Sequence, residues 1–330
     1  MVFGCCGEKL YFHVFKLQME HIANLHNLEE FQDFDNLALI AKEVVEGFIT
    51  GLHRSPFHGF SVEFSEHRQY NEGESTKNID WKLFGRTERL YVKQFEEETN
   101  LRCQLVIDTS SSMLFPYQKG KGFQLNKLAF SVYCSAAIIY MMRRQRDASG
   151  LSLFSDKVDF HANAKLSSVH LDLLYSTLGN LLKPENIGLK RGTNSIDVLH
   201  QIAENIHKRS LVIIFSDMIE SADPDQVYQA LQHLRYNKHE VVLFHVTDKK
   251  HEEEFVYSNR PHKFVDLETG EVIRIKPQEI KRQYAQMMKE YVEDLKLKCG
   301  QYQIDIIEAD INEDFRQVLH SYLIKRGKLS

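Results

Sequence analysis

From residue 101 onward the chain alternates between apolar runs and segments of helical period. The runs "CQLVIDTS" (103–110), "SLVIIFSD" (210–217) and "HEVVLFHVTD" (239–248) carry too little polar alternation for strands with one wet face. They fit strands buried on both sides. Strand–helix alternation of this kind predicts a mostly parallel sheet with helices on both faces, a doubly wound α/β fold. Helices are expected at about Gln124 to Arg143, Ser167 to Leu182, within "SIDVLHQIAENIHK" and within "DPDQVYQALQHLRYN". "GLSLFS" and "KVDFHAN" alternate around Ser155-Asp156, which predicts a hairpin and an antiparallel edge strand. A long helix from about Pro277 to Lys298, the strand "YQIDIIEA" and a final helix from about Asn312 to Lys325 complete the pattern.

A chain of 330 residues is long for one small core. Residues 1–55 read as an N-terminal extension and a helix. The three-and-four spacing of apolar residues covers about 20–50, and the first 18 residues read as an upstream tail. Residues 56–100 read as a small β subdomain. "GFSVEFSEHRQY" and "RLYVKQFEEET" alternate as strands do, and the turn-rich "NEGESTKNIDWKLFGRT" lies between them. Residues 101–330 form the α/β domain. A β-hairpin insertion at about 251–276 turns at Glu268-Thr269-Gly270 and is expected to pair with the strands near 60 and 90. Trp81, the one tryptophan, sits between Ile79 and Leu83 and reads as a packing anchor clamping the β subdomain to the sheet. Asp80 would cap a turn or pair with Arg86 or Arg89, since a buried lone carboxylate is costly.

Several functions are disfavoured at this level. The net charge is −5, and the basic stretches "MMRRQR" and "KRGKLS" read as helix ends, so no nucleic-acid partner is expected. The most apolar run, Leu128 to Met142, falls short of the roughly 20 residues that cross a bilayer and reads as a buried helix, so no transmembrane segment is expected. The five cysteines include no CxxC pair, and Cys103 and Cys134 lie in apolar runs, which suits a reducing, cytoplasmic setting. "YQKGKGFQLNK" lacks phosphate-loop spacing and reads as a loop beside the site. His53, His58 and His67 have no neighbours that complete a metal set.

"LVIDTSSSM" (105–113) ends a strand on an aspartate and a hydroxyl cluster. It can be a turn or helix cap, a catalytic nucleophile, or a metal cradle. Ligands of open α/β sheets bind beyond the carboxyl ends of the strands. Asp108 and Asp217 both end strands, and Thr193 stands in "RGTNS" just before a helix. If the two strands are neighbours, Asp108, Ser110, Ser112, Thr193 and Asp217 can surround one hard cation. Magnesium suits such a set and manganese is possible. With alternate side chains turned away, D-x-S-x-S directs three oxygens at one ion and leaves a position for an acidic guest.

The Asp-x-Ser-x-Ser loop, the Gly-Thr and the Ser-Asp, in this order, resemble the metal-ion-dependent adhesion site of von Willebrand factor type A domains. That resemblance spans about 101–247 and implies metal ligation by Asp108, Ser110, Ser112, Thr193 and Asp217. "RQYNEGESTKNIDWKLFGRTERLYVKQFEEE" resembles the signature of the bacterial domain of unknown function 58. The matching positions are Arg68, Tyr70, Gly73, Ile79, Asp80, Trp81, Arg86, Phe95, Glu96 and Glu98. Glu74 and Ser75 stand where that family has two aspartates, and Lys77 where it has arginine. Its members are typically encoded beside MoxR-type AAA+ ATPases. The resemblance therefore implies a metal-dependent protein-binding module whose partner is such an ATPase or its client. The expectation is a non-enzymatic adaptor or co-chaperone. The alternatives are a metal-dependent phosphohydrolase, with Asp108 as nucleophile, and a structural scaffold.

Overall fold

Residue parity along the strands assigns the two faces of the central sheet. The structure, a computed structural model, describes residues 36–49, 66–69, 81–94, 101–117, 125–183, 195–218, 224–319 and 322–323. In chain order its elements are α1 (Asn36–Ile49), β1 (Glu66–Gln69), α2 (Trp81–Thr87), β2 (Tyr91–Gln94), β3 (Arg102–Asp108), α3 (Lys127–Arg144), β4 (Ala148–Phe154) and β5 (Val158–Lys165). They continue as α4 (Ser168–Leu181), α5 (Ser195–Asn205), β6 (Leu211–Ser216), α6 (Pro224–Tyr236), β7 (Glu240–Thr247), β8 (His262–Val265), β9 (Val272–Ile275), α7 (Pro277–Gln301) and β10 (Asp305–Asp310).

Six strands form one sheet in the order β10-β7-β6-β3-β4-β5. All neighbours are parallel except β5, which runs antiparallel to β4 at the edge. Cys103, Leu105 and Ile107 of β3 face a core built with α1, α3 and α4, whereas Val106 faces the second core, built with α5, α6 and α7. β6 and β7 divide the same way: Ile213 and Val242 enter the first core, Ile214 and Leu243 the second. A side-chain period of two sends successive residues to opposite faces, so uniformly apolar strands require helices on both. The arrangement is a doubly wound α/β fold, consistent with a von Willebrand factor A-like architecture.

α3 explains itself through burial. Residues Leu128 to Ile139 are all buried, because α1 and α4 cover the sides that the sheet does not. A helix apolar all round belongs inside. Its N-terminus is fixed by Asn126, whose side-chain oxygen accepts from Ala129 N at 2.7 Å. Among the described residues no helix is long and apolar enough to cross a membrane.

Three expectations need correction. The hairpin of β8 and β9 does turn through Glu268-Thr269-Gly270, where Gly270 takes a φ of 79° that suits its missing Cβ. Yet β8 and β9 pair with each other as a separate sheet, and β1 and β2 form another. The turn-rich segment between β1 and β2 contains the helix α2 rather than only turns. Trp81 opens that helix 61% exposed, in edge contact with Phe84, and α2 has no buried residue, so Trp81 is not a packing anchor. Ile79, Asp80 and residues 95–100 lie outside the described residues, as do 1–35 of the expected N-terminal extension.

Gly150 in β4 allows a close approach. A Cβ there would lie 2.1 Å from Gln104 Oε1, 2.7 Å from Ala162 O and 2.7 Å from Ala164 N. The two backbone atoms cannot give way without breaking the β4–β5 pairing, which already shifts register between Ser149 and Leu151. Gly150→Ala is expected to destabilise the protein by about 2 kcal/mol. Urea denaturation with an unchanged m-value measures this directly.

Candidate metal centre

β3 and β6 are adjacent and parallel, with Ile107 opposite Phe215. That register sets Asp108 beside Ser216 and brings Asp217 to the same edge one residue later. Asp108 is 1% exposed. Its Oδ1 accepts from Ser110 N at 2.9 Å, and its Oδ2 accepts from the Ser216 hydroxyl at 2.8 Å. Thr109 turns the other way, with Oγ1 2.8 Å from Phe154 O and 3.1 Å from Asp159 Oδ2 on the β4–β5 side. A single 3-10 turn (Ser111–Leu114) follows. The Ser110 and Ser112 hydroxyl oxygens meet at 2.9 Å. Thr109 thus points away from the side on which Asp108 and Ser110 meet. Thr193 lies outside the described residues.

Asp217 is held at its side chain and at its main chain. Lys127, fully buried at the start of α3, places its Nζ 2.6 Å from Asp217 Oδ2 and 2.6 Å from Glu252 Oε1. His245 lies 3.0 Å from the Asp217 carbonyl. A carbonyl only accepts, so Nε2 of that ring carries the proton. Burial keeps this histidine below its usual range and therefore neutral, although Asp217 pulls the other way. Next in the chain, Met218 adopts a left-handed φ of 51°, a conformation that costs roughly 1–2 kcal/mol for a residue with a Cβ. Its N–H donates to Ser216 Oγ, and Tyr291 donates its hydroxyl proton to the Met218 carbonyl. Asp217 and Met218 are therefore pinned at side chain and main chain alike.

Lys127, Glu252, Ser216 and His245 were not foreseen as part of this site. Lys127 carried a signal. A lysine in the first turn of a helix opposes the helix dipole, and here it precedes an otherwise apolar helix, so something acidic has to meet it. Glu252 lies within "DKKHEEE", which reads as a solvated charge run, and gave none.

The electrostatics follow from one ammonium among three carboxylates. Burial and the charge of Asp217 push the Asp108 carboxyl up to about 7, against the lowering effect of its hydrogen bonds. Burial alone would lower the Lys127 ammonium, but Asp217 and Glu252 outweigh it and hold that group above its usual range. Burial raises Glu252, and Lys127 opposes the shift.

The donor set fits a hard divalent cation. The Ser110 and Ser112 hydroxyls, hydrogen-bonded to each other at 2.9 Å, and the carboxylates of Asp108 and Asp217 are oxygens of the kind magnesium accepts. A divalent charge against Asp108 would oppose the upward pull of its burial and of Asp217. Among the described residues no group of three or more His, Cys, Asp and Glu is placed to hold a metal. An ion here therefore depends on the hydroxyls and water as well as on carboxylates.

The raised Asp108 pKa has a definite sign in stability. The folded form holds its proton to higher pH than the unfolded chain, so stability falls as pH rises from 3.8 to about 7 and levels off above that. In EDTA, Asp108→Asn is expected to match the parent near pH 4 and to exceed it at pH 8 by a few kcal/mol, at about 1.4 kcal/mol per pH unit of the window. Denaturant titrations of both proteins across that range measure the difference.

Comparison with known proteins places the chain in a family. Residues 66–294 match the family described as "Protein of unknown function DUF58". Uncharacterized proteins of Mycobacterium bovis (strain ATCC BAA-935 / AF2122/97) and Mycobacterium tuberculosis (strain ATCC 25618 / H37Rv) are 23% identical over 214 residues, 65% of this chain and 64% of theirs. The chain thus spans just under two thirds of the length of the curated relatives it matches. Among solved structures, the conserved hypothetical protein BatB from Bacteroides thetaiotaomicron is similar over 70% of this chain and 100% of its own, at 14% identity and a TM-score of 0.40. An aerotolerance-related membrane protein from Bacteroides fragilis NCTC 9343 covers the same shares at 12% identity and a TM-score of 0.40. With more than half of its length matched, this chain belongs to the DUF58 family of proteins of unknown function.

Proposed function

We propose that the protein is a magnesium-dependent protein-binding module. The observation that carries the reading is the gathering of oxygens at the carboxyl edge of the sheet: Ser110 N donates to the buried Asp108, the Ser110 and Ser112 hydroxyls are hydrogen-bonded to each other, and Asp217 follows β6 at the same edge. Asp108, Ser110, Ser112 and Asp217 would hold the ion, and Thr193, two residues before α5 in the sequence, would complete the set. Manganese would satisfy the same oxygens. The ion supplies Lewis acidity at the sheet edge. The chain's own groups set its orientation: two neutral hydroxyls contribute no charge, so the ion keeps enough attraction to take a carboxylate from a partner. The partner chemistry is an acidic side chain on a protein. A MoxR-type AAA+ ATPase or its client is the partner implied by the resemblance of the signature segment. The buried cysteines Cys103, Cys134 and Cys299 form no disulfide, which fits a cytoplasmic setting.

A phosphohydrolase gains no support from Lys127. That ammonium is buried, committed to two carboxylates and held above its usual range, which makes it a poor proton donor.

Calorimetric titration with magnesium at pH 8 is expected to show one site that Asp108→Ala abolishes. Binding to a purified MoxR-type ATPase should be lost in the Ser110→Ala/Ser112→Ala double variant. That variant is the decisive arm, because EDTA would also strip the nucleotide-bound metal of the ATPase. Retained binding by the double variant refutes the carboxylate–metal contact.

A further inference from the structure

Lys127 touches both halves of the candidate metal centre. Its backbone N–H donates to Phe115 O at 3.0 Å, and Phe115 N donates in turn to Ser112 O at 3.1 Å, so it closes the serine turn. Its ammonium holds Asp217. The same ammonium reaches a further element, the π-helical turn Lys249–Glu253, through Glu252. That turn is tightly built. Asp248 accepts from His251 N and lies 2.7 Å from His251 Nδ1, and Glu252 Oε2 accepts from Asp248 N at 2.8 Å. Thr247 donates to Glu253 Oε1, and Asn312 Nδ2 donates to Asp248 Oδ1. One Glu252 carboxylate therefore binds the turn's own backbone with one oxygen and the buried lysine with the other.

We propose that Lys127 is a positioning residue for the cation: it fixes the Asp217 carboxylate relative to Asp108 and, through Glu252, ties the cation to the turn at 249–253. This rests on the magnesium reading above. Bringing a cation to Asp217 redistributes the charge that Lys127 balances, and the rigid lysine–glutamate contact passes that change to the turn. A lysine that only stabilised the fold would also satisfy the two carboxylates. It would have no effect on metal affinity once its charge and volume were replaced.

Lys127→Met/Glu252→Gln makes that distinction. The pair loses one positive and one negative charge together, so the net charge around Asp108 and Asp217 is unchanged. Asp217 loses its ammonium in this variant, so the metal-free protein is expected to be less stable than the parent. Magnesium calorimetry on the full chain, at a temperature well below the variant's lowered Tm, is expected to show an affinity about tenfold weaker than that of the parent, as when groups that orient metal ligands are removed. An affinity indistinguishable from the parent overturns the proposal. A parent chain that takes up no magnesium refutes the metal reading itself, and the positioning role falls with it.

Amide hydrogen exchange on the unmodified chain gives a second measure that does not depend on the variant folding. The amides of 249–254 are expected to exchange more slowly at saturating magnesium, and this slowing should be absent in Asp108→Ala. Unchanged exchange in the parent overturns the link to the turn.

Discussion

Parallel pairing of β3 with β6 is the constraint on which the site depends. Their register places Asp108 next to Ser216 and brings Asp217 to the same edge. Two buried carboxylates so close repel one another, and their burial compounds the cost. The fold meets that cost with hydrogen bonds to Asp108 from Ser110 and Ser216 and with the Lys127 ammonium on Asp217. Both cores that flank the pair are closed by apolar side chains of the same strands, so the two aspartates cannot retreat to water without loss of the sheet. The site is held in place by the packing beneath it.

The burial of Lys127 makes α3 part of the site as well as part of the core. Phe130, Ile138 and Met142 of this helix lie in the first core with no exposed surface. Lys127, at its first turn, is as deeply buried. A helix that is packed on all sides has little freedom to slide, so its N-terminus can hold the serine turn and the Asp217 loop at a fixed separation. The apolar run that is too short for a membrane thus acts as the rigid post beside which the polar cluster is arranged.

Much of this was legible in the chain. Uniformly apolar runs such as "LVIIFSD" predicted strands covered on both faces, and the aspartates that end them marked the edge where the buried polar cluster gathers. The hairpin around Ser155-Asp156 was visible as alternation. What could not be read were contacts between residues distant in sequence whose local context is bland. Ser216 looked like the last residue of a strand and Glu252 like one of several solvated acids. Trp81 misled for the opposite reason: a lone tryptophan between apolar neighbours reads as core, but a seven-residue helix with no buried position gives it nothing to pack into. Composition reports what a residue prefers, and only the tertiary arrangement decides whether that preference is met.

The antiparallel β5 has an effect beyond completing the sheet. An edge strand offers unpaired peptide groups to any chain that can lie alongside. β5 breaks register twice against β4, between Ser149 and Leu151 and again between Leu153 and Phe154, and it carries Asp159 and Lys165. A second molecule seeking to extend the sheet there would meet an irregular, charged ladder. The kinked edge therefore discourages fibre-like self-association on that flank.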